Sequence, residues 1–209
     1  MARSKREIPH YYLASHIDLH RAMTWLDGRN EAAAVAERIL PAALLLKATA
    51  LALRRHPELN GHWVEGGFQP VESVHLGVAV SLREGGLVAP AIHDADTLAL
   101  AELMTRLRDV VSRARSLKLR SSEVADPTAT VTNLGDRGVE TAFPVIIPPQ
   151  VAIVGFGKVV RTPVAADGSV VVHPVIHATL AADHRVTDGH RGARFLTTLD
   201  RLLQEPQSL

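Results

Sequence analysis

An apolar run, Val175-Ile176-His177-Ala178-Thr179-Leu180-Ala181, leads straight into Ala182-Asp183-His184-Arg185-Val186-Thr187-Asp188-Gly189. Beyond that glycine the apolar spacing changes. A continuous apolar run of this length, bounded by turn residues, reads as a buried strand. Ala193, Leu196, Leu199, Leu202 and Leu203 recur so that one face of a helix can hold them all. Asp188-Gly189 between them marks a turn or a helix start. A buried strand feeding directly into an amphipathic helix requires a sheet with helices packed on it. It also sets His184 and Asp188 four residues apart at a strand end, where a rigid element displays reactive groups to solvent or ligand.

The rest of the chain supplies matching parts. His10 to Leu19 reads as a strand. Residues 20–35 read as a helix interrupted at Gly28, and Pro41 suits the first turn of a helix that Pro57 ends. His62 to Val71 reads as a hairpin around Gly66-Gly67. Val74 to Leu82 alternates, Arg83-Glu84-Gly85-Gly86 turns, and Leu87 to Ile92 returns as a second strand. Thr97 suits the N-cap of a long amphipathic helix, Leu98 to Leu117, with Leu100, Leu103, Met104, Leu107 and Val111 as its stripe. Ser121 to Pro127 reads as polar linker and Thr128 to Thr132 as a short strand. A loop runs to Pro149, Val151 to Val160 is an apolar strand, and Asp167-Gly168 turns into Val170 to Val172. Strands joined by hairpins and mixed with helices predict a single α/β domain over residues 1–209, a mixed β-sheet covered by helices. Residues 1–8 read as a basic tail or the end of a truncated helix.

Composition narrows the function. Lys+Arg (23) and Asp+Glu (22) nearly cancel. That argues against general binding to nucleic acid or a membrane surface. There is no cysteine. A disulfide framework, a zinc–thiolate site and a thiol nucleophile are therefore excluded, and any reacting thiol belongs to a substrate. No apolar run reaches membrane-spanning length. No signal peptide is visible at the N-terminus, so the expected compartment is the cytoplasm. Among the histidines, His173 and His177 would share one face of a strand. No carboxylate or thiolate sits at ligand spacing, so no metal is expected. No Gly-x-Ser-x-Gly elbow supports a hydrolase.

Asp183-His184-Arg185-x-x-Asp188-Gly189 resembles the active-site signature of the dihydrolipoamide acyltransferases of the 2-oxoacid dehydrogenase complexes, catalytic domains of the chloramphenicol acetyltransferase-like superfamily. Thr130-Val131-Thr132-Asn133-Leu134-Gly135 resembles that family's oxyanion segment. Pro57-Glu58-Leu59-Asn60, Leu76 to Val80 with Gly86 to Ile92, and Ser4-Lys5 with Ile8-Pro9-His10 are also similar to it, so that the resemblance covers roughly residues 4 to 203. It implies a two-layer sandwich. It also implies a homotrimer, open to assembly into a larger cage, whose sites lie between subunits, with the hydroxyl from one and the histidine from the next.

The implied chemistry moves an acyl group between dihydrolipoamide and CoA. A thiol with a pKa of about 8.5 attacks as thiolate, and a neutral imidazole takes its proton as it forms. His184 is the implied base and Thr132 the donor to the tetrahedral oxyanion. Preorganised donation of that kind is worth roughly 3–4 kcal/mol. Asp188 either orients the histidine or a neighbouring side chain, or caps the last helix. Asn133 and Gly135 are implied substrate contacts. Asp183 and Arg185 are expected to fix the loop as ion pairs, and Gly189 to let the chain turn closely beneath the site. No cofactor is expected to be resident. CoA is a substrate, and the lipoyl group is expected on a partner domain, since no segment resembles a lipoyl or subunit-binding domain. The sequence departs from the family at Leu26, where an Arg usually helps hold CoA, at Ser81 in place of Asp, and at Ala129 in place of an aromatic. The alternatives are a non-catalytic trimeric scaffold and a stand-alone CoA-dependent acyltransferase with a small-molecule acceptor.

Overall fold

The strand that carries the signature is about twice as long as the apolar run that announces it. In the computed structural model, which describes residues 2–82, 85–135, 138–166 and 168–209, β11 spans Ser169–Asp183. Its first half pairs with β10 (Val160–Ala166) and its second half with β9 (Ala152–Phe156), while β1 (His10–Asp18) pairs with residues 175–183, all antiparallel. Val170 to Val172 and the signature run are thus one strand. Conversely, the apolar stretch Val151 to Val160 is two strands. The chain leaves the ladder after Phe156, where Gly157 N–H donates to His177 O at 3.1 Å, and rejoins β11 farther along.

The sheet continues from β9 through β8 (Ala129–Asn133) and β4 (Leu76–Val78) to β7 (Ala91–Ile92), in the order β1-β11-β9-β8-β4-β7. The β4–β8 and β8–β9 steps are parallel. The sheet is therefore mixed, as the alternation of hairpins and helices predicts. Two small ribbons stand apart: β2 (Gly61–Val64) with β3 (Gly67–Pro70), and β5 (Val80–Ser81) with β6 (Leu87–Val88). The alternating runs Val74 to Leu82 and Leu87 to Ile92 each break, at Ala79 and at Ala89-Pro90. A proline cannot donate to a ladder, and here Pro90 only accepts, from Val78 N–H at 2.9 Å. The turns expected at Arg83-Glu84-Gly85-Gly86 and Asp167-Gly168 involve Arg83, Glu84 and Asp167, which lie outside the described residues.

Helices α2 (His20–Glu31), α3 (Pro41–Arg55), α4 (Leu100–Arg115) and α6 (Gly189–Gln204) cover one face of the sheet. The period-two rule sorts each strand. Leu13 and Ile17 of β1, Ile176, Ala178, Leu180 and Ala182 of β11, and Ala129 and Val131 of β8 join the helical core. The intervening residues face away from the helices. Among the described residues that second face has a small apolar cluster, Ile8, Ile146, Ile153 and Ala181. The short α1 (Ala2–Glu7) and a loop over residues 138–150 lie against it.

Several local expectations change. The helix α2 runs through exposed Gly28 without a break. Helix α4 starts at Leu100, and Thr97 turns its hydroxyl back to Asp94 O at 2.9 Å in a preceding turn instead of capping the helix. The polar linker forms a short helix, α5 (Ser121–Ala125), because Glu123 accepts the Arg120 N–H at 2.9 Å and binds Arg113. The β2–β3 hairpin turns at Glu65-Gly66, both in the left-handed region at φ 52° and 80°. The buried face of α6 includes Gly192 and Phe195, while Ala193 is exposed.

Candidate functional site

At the end of β11 the chain keeps one rigid anchor before it turns. Asp183 is fully buried, and its carboxylate receives the Arg185 guanidinium at both oxygens, Nε–Oδ1 at 2.9 Å and Nη2–Oδ2 at 2.6 Å. It also accepts the Arg185 backbone N–H at 3.0 Å. The hydrogen bond to Asp183 raises the Arg185 pKa above its ordinary range. The guanidinium lies over the Trp63 ring, 4.3 Å from its centroid, so one side chain is held by a carboxylate edge-on and an indole face-on.

His184 follows, exposed, with its backbone N–H on Pro9 O at 2.9 Å. Its ring meets the edge of Tyr11 at 5.3 Å and 71°. Tyr11 is itself fixed. Its hydroxyl bonds the Thr187 hydroxyl at 2.8 Å, and burial pushes its phenol pKa up. Tyr11 fits only because residue 192 has no side chain: a Cβ there would stand 2.8 Å from Leu13 Cδ1 and 2.9 Å from the Tyr11 ring. Asp188 is exposed at the N-cap of α6 and accepts the Arg191 N–H at 2.9 Å. That backbone bond holds its carboxyl below the usual range. Of the alternatives left open for Asp188, the geometry realises the cap. Gly189 does not make the close turn expected of it, since a Cβ there would meet open space. The close approach is at Gly192, one turn later.

The second predicted half lies elsewhere. Thr132 sits half-buried near the end of β8, on the helix-free face with Thr130, whose hydroxyl bonds Gln150 Oε1 at 2.6 Å. Asn133 spends its Oδ1 on Gly135 N–H at 2.9 Å, and a Cβ on Gly135 would crowd Gly157 O at 3.0 Å. Both therefore shape the turn after Thr132. Thr132 pairs with Gly155, and Gly155 pairs with Thr179. His184 is five residues beyond Thr179. At about 3.3 Å per residue and about 4.8 Å per strand, the two positions are roughly 19 Å apart within one chain. The cause is topological. The strand β8 runs parallel to β9 and β11 antiparallel to it, so their C-terminal ends point to opposite ends of the sheet.

The departures from the family pattern also have places. Leu26 is 1% exposed in the helical core, so it is a packing residue; Ala129 is buried beneath the sheet, and Ser81 is exposed on β5. His173 and His177 do share a face of β11, but each stacks on a different histidine, His20 at 4.2 Å and His16 at 4.0 Å. Among the described residues no three His, Asp or Glu side chains converge on a point that could hold a metal, and no helix is long and apolar enough to cross a membrane. A cleft of about 430 Å³ opens beside the signature loop, lined by Trp63, Arg185, Gln150 and Pro149 among others. Sequence reading missed Tyr11, Trp63, Thr187 and Gly192. None of them carries a reactive group at a motif spacing, and each matters only through what it touches.

The family model for 2-oxoacid dehydrogenases acyltransferase (catalytic domain) matches residues 1–209. The chain is 34% identical over 209 residues to the dihydrolipoyllysine-residue acetyltransferase component of the mitochondrial pyruvate dehydrogenase complex of Schizosaccharomyces pombe, covering 99% of this chain and 43% of that protein. It is 40% identical over 166 residues to the corresponding component from Mycobacterium tuberculosis, covering 76% of this chain and 30% of that protein. The chain thus spans less than half the length of these relatives. The solved dihydrolipoamide acetyltransferase of Azotobacter vinelandii superposes with a TM-score of 0.91 at 28% identity, over 99% of this chain and 86% of that one. A chloramphenicol acetyltransferase superposes at 0.58 with 13% identity over 96% and 90% of the two chains, a likeness of fold alone.

Proposed function

Because the chain belongs to the family of 2-oxoacid dehydrogenase acyltransferase catalytic domains, we propose that it moves an acyl group between a dihydrolipoyl group and CoA, in a site that two copies complete together. The observation that carries the reading is the sheet register. Thr132 and His184 lie two strands and five residues apart across one sheet, and both are accessible. A donor and a base roughly 19 Å apart cannot serve one reacting carbon. Closed symmetric assembly brings one end of a subunit against the other end of its neighbour. A homotrimer, as the basis of a larger core, fits that need, with the lipoyl group delivered by a partner domain and the cytoplasm as its compartment.

In the forward direction His184 takes the proton of the CoA thiol as its sulfur attacks the thioester carbonyl of the acylated lipoyl group. A new C–S bond forms and the carbonyl oxygen becomes an oxyanion, to which the neighbouring copy's Thr132 hydroxyl donates. Collapse breaks the original C–S bond, and His184 returns its proton to the leaving lipoyl thiolate. No bond to the protein forms. The Asp183–Arg185 pair and Tyr11 keep the loop and ring where this exchange needs them. Asp188 contributes by starting α6 at the right residue. The burial of Leu26 favours a second reading, a core subunit that assembles but does not turn over, since α2 offers CoA no cation at that position.

The test is acyl transfer from acetyl-, propionyl- and isobutyryl-CoA to dihydrolipoamide. His184→Ala should lose about a thousandfold or more. Thr132→Ala, inactive by itself, should regain activity when unfolded and refolded with His184→Ala, because random mixing restores about a quarter of shared sites. No recovery in well-formed mixed oligomers would place both groups in one chain's site and refute the reading. No turnover with any donor by the unsubstituted protein would favour the scaffold.

A further inference from the structure

The segment 138–146 crosses the helix-free face of the sheet, against β9 and β11. Val139 O accepts the Lys158 N–H at 2.7 Å, and Ala142 O accepts the Thr179 hydroxyl at 2.6 Å. The approach is tight. A Cβ on Gly155, the register partner of Thr132, would stand 3.0 Å from Ala142 O, and one on Gly157 would stand 1.8 Å from Glu140 O. At the other end Ile146 is buried with Ile8, Ile153 and Ala181, its carbonyl accepts the Ser4 hydroxyl at 2.6 Å, and its N–H donates to His10 Nε2 at 3.1 Å. His10 adjoins Pro9, whose carbonyl holds the His184 N–H.

Two of these fastenings run through imidazoles. His10 Nδ1 lies 2.8 Å from Ile8 O, an atom that can only accept. Nδ1 therefore carries the hydrogen, and Nε2 is the lone pair that receives Ile146 N–H. A proton on Nε2 sets two N–H groups face to face and removes the bond. The carboxylates near His10 are engaged: Glu7 by Arg3 and Asp183 by Arg185. Tyr12 stacks on its ring, and the Lys5 ammonium bonds the Tyr12 hydroxyl.

The second imidazole, His177, is hydrogen-bonded through Nδ1 to the Thr141 hydroxyl, and its ring stacks on that of His16 at 4.0 Å and 9°. Glu140 faces it but is bridged to Lys158 at 3.3 Å, and farther along the same face Asp18 and His173 bind each other at 2.6 Å. Burial, and then His16, lower the His177 pKa, with Glu140 opposing. The Thr141 hydroxyl can donate to a neutral ring or accept from a protonated one, so this fastening holds in either state.

We infer that the strap formed by residues 138–146 is released by protons at its Ile146 end: neutral His10 fastens it there, beside the Pro9 carbonyl that holds His184, and acidification through the imidazole range frees it. The release stands on the geometry alone; its consequence for turnover rests on the acyl-transfer reading. Hydrogen exchange in the assembled protein, at about pH 7.5 and about pH 5.5 and corrected for intrinsic rate, tests it. The strap amides, Ile146 above all, should lose about tenfold protection or more relative to β9 on acidification. His10→Gln keeps an acceptor for the Ile146 N–H but does not titrate, so its Ile146 amide should be equally protected at both pH values. A wild-type Ile146 amide that stays protected, or an equal loss in His10→Gln, overturns the inference. If the variant does not fold, the ring resonances of His10 in the unsubstituted protein decide. The Ile146 end must open with the midpoint of that ring, and opening at an unrelated pH overturns it. Absence of acyl transfer at every pH would sink the functional reading while leaving the exchange result standing.

Discussion

Gly192→Ala tests how the sequence positions the His184 ring. A Cβ at residue 192 would overlap Leu13 Cδ1 at 2.8 Å and Tyr11 Cε2 and Oη at 2.9 Å each. Overpacking of this kind costs about 1–3 kcal/mol. Position 192 is inside α6, where alanine is favoured over glycine by about 0.5–1 kcal/mol. The net destabilisation is therefore about 0–2.5 kcal/mol, at the low end of that range because the overlapped atoms are side-chain ends that can swing away. The swing has a consequence. Tyr11 gives up its hydrogen bond to Thr187 and the edge contact that seats His184. Misplacing a reacting group by about 1 Å costs about a hundredfold in rate. Acyl transfer should show kcat down about tenfold to a hundredfold with KM for both thiol substrates held, while urea unfolding shows a midpoint little changed. Tyr11→Phe, which keeps the ring and drops only the hydroxyl bond, should fall between the two. A Gly192→Ala protein with wild-type kcat would refute the reasoning. So would one whose activity falls only as far as its folded fraction.

Two further outcomes follow from buried charges. Arg185→Leu leaves the Asp183 carboxylate buried with no cation, and breaking such a pair from one side costs about 3–5 kcal/mol; a urea midpoint within error of wild type would refute it. Glu123 is pushed up by burial, but the Arg113 guanidinium and the Arg120 N–H outweigh this and hold its pKa below the ordinary carboxylate value. A carboxyl depressed in the folded state stabilises above its unfolded pKa of about 4.3, and the contribution is lost as pH falls through the folded value. Glu123→Gln should therefore destabilise by about 1–3 kcal/mol at neutral pH, with the difference from wild type shrinking below about pH 4; a pH-independent difference in denaturant titrations would contradict it.

Where a single side chain's chemistry and its sequence neighbours sufficed, the sequence was decisive. The run from Val175 through Gly189 declares a buried strand, a displayed histidine and a helix start, because each depends on residues a few positions away. Thr132 at the end of a short strand, the apolar stripe of α4 and the proline that opens α3 are equally local. What the sequence misjudged was set by neighbours distant along the chain. Val151 to Val160 is one apolar run by composition but two strands by pairing, since β11 is long enough to take β9 and β10 in succession. Ser121 to Ala125 coils because a carboxylate and a guanidinium from the preceding helix tie it. Gly192 rather than Gly189 makes the close approach because Tyr11, nearly the whole chain away, packs there. The separation of Thr132 from His184 is of the same kind. Both residues stand out in the sequence, yet only strand direction, fixed by the parallel and antiparallel ladders around β9, decides that one chain cannot bring them together.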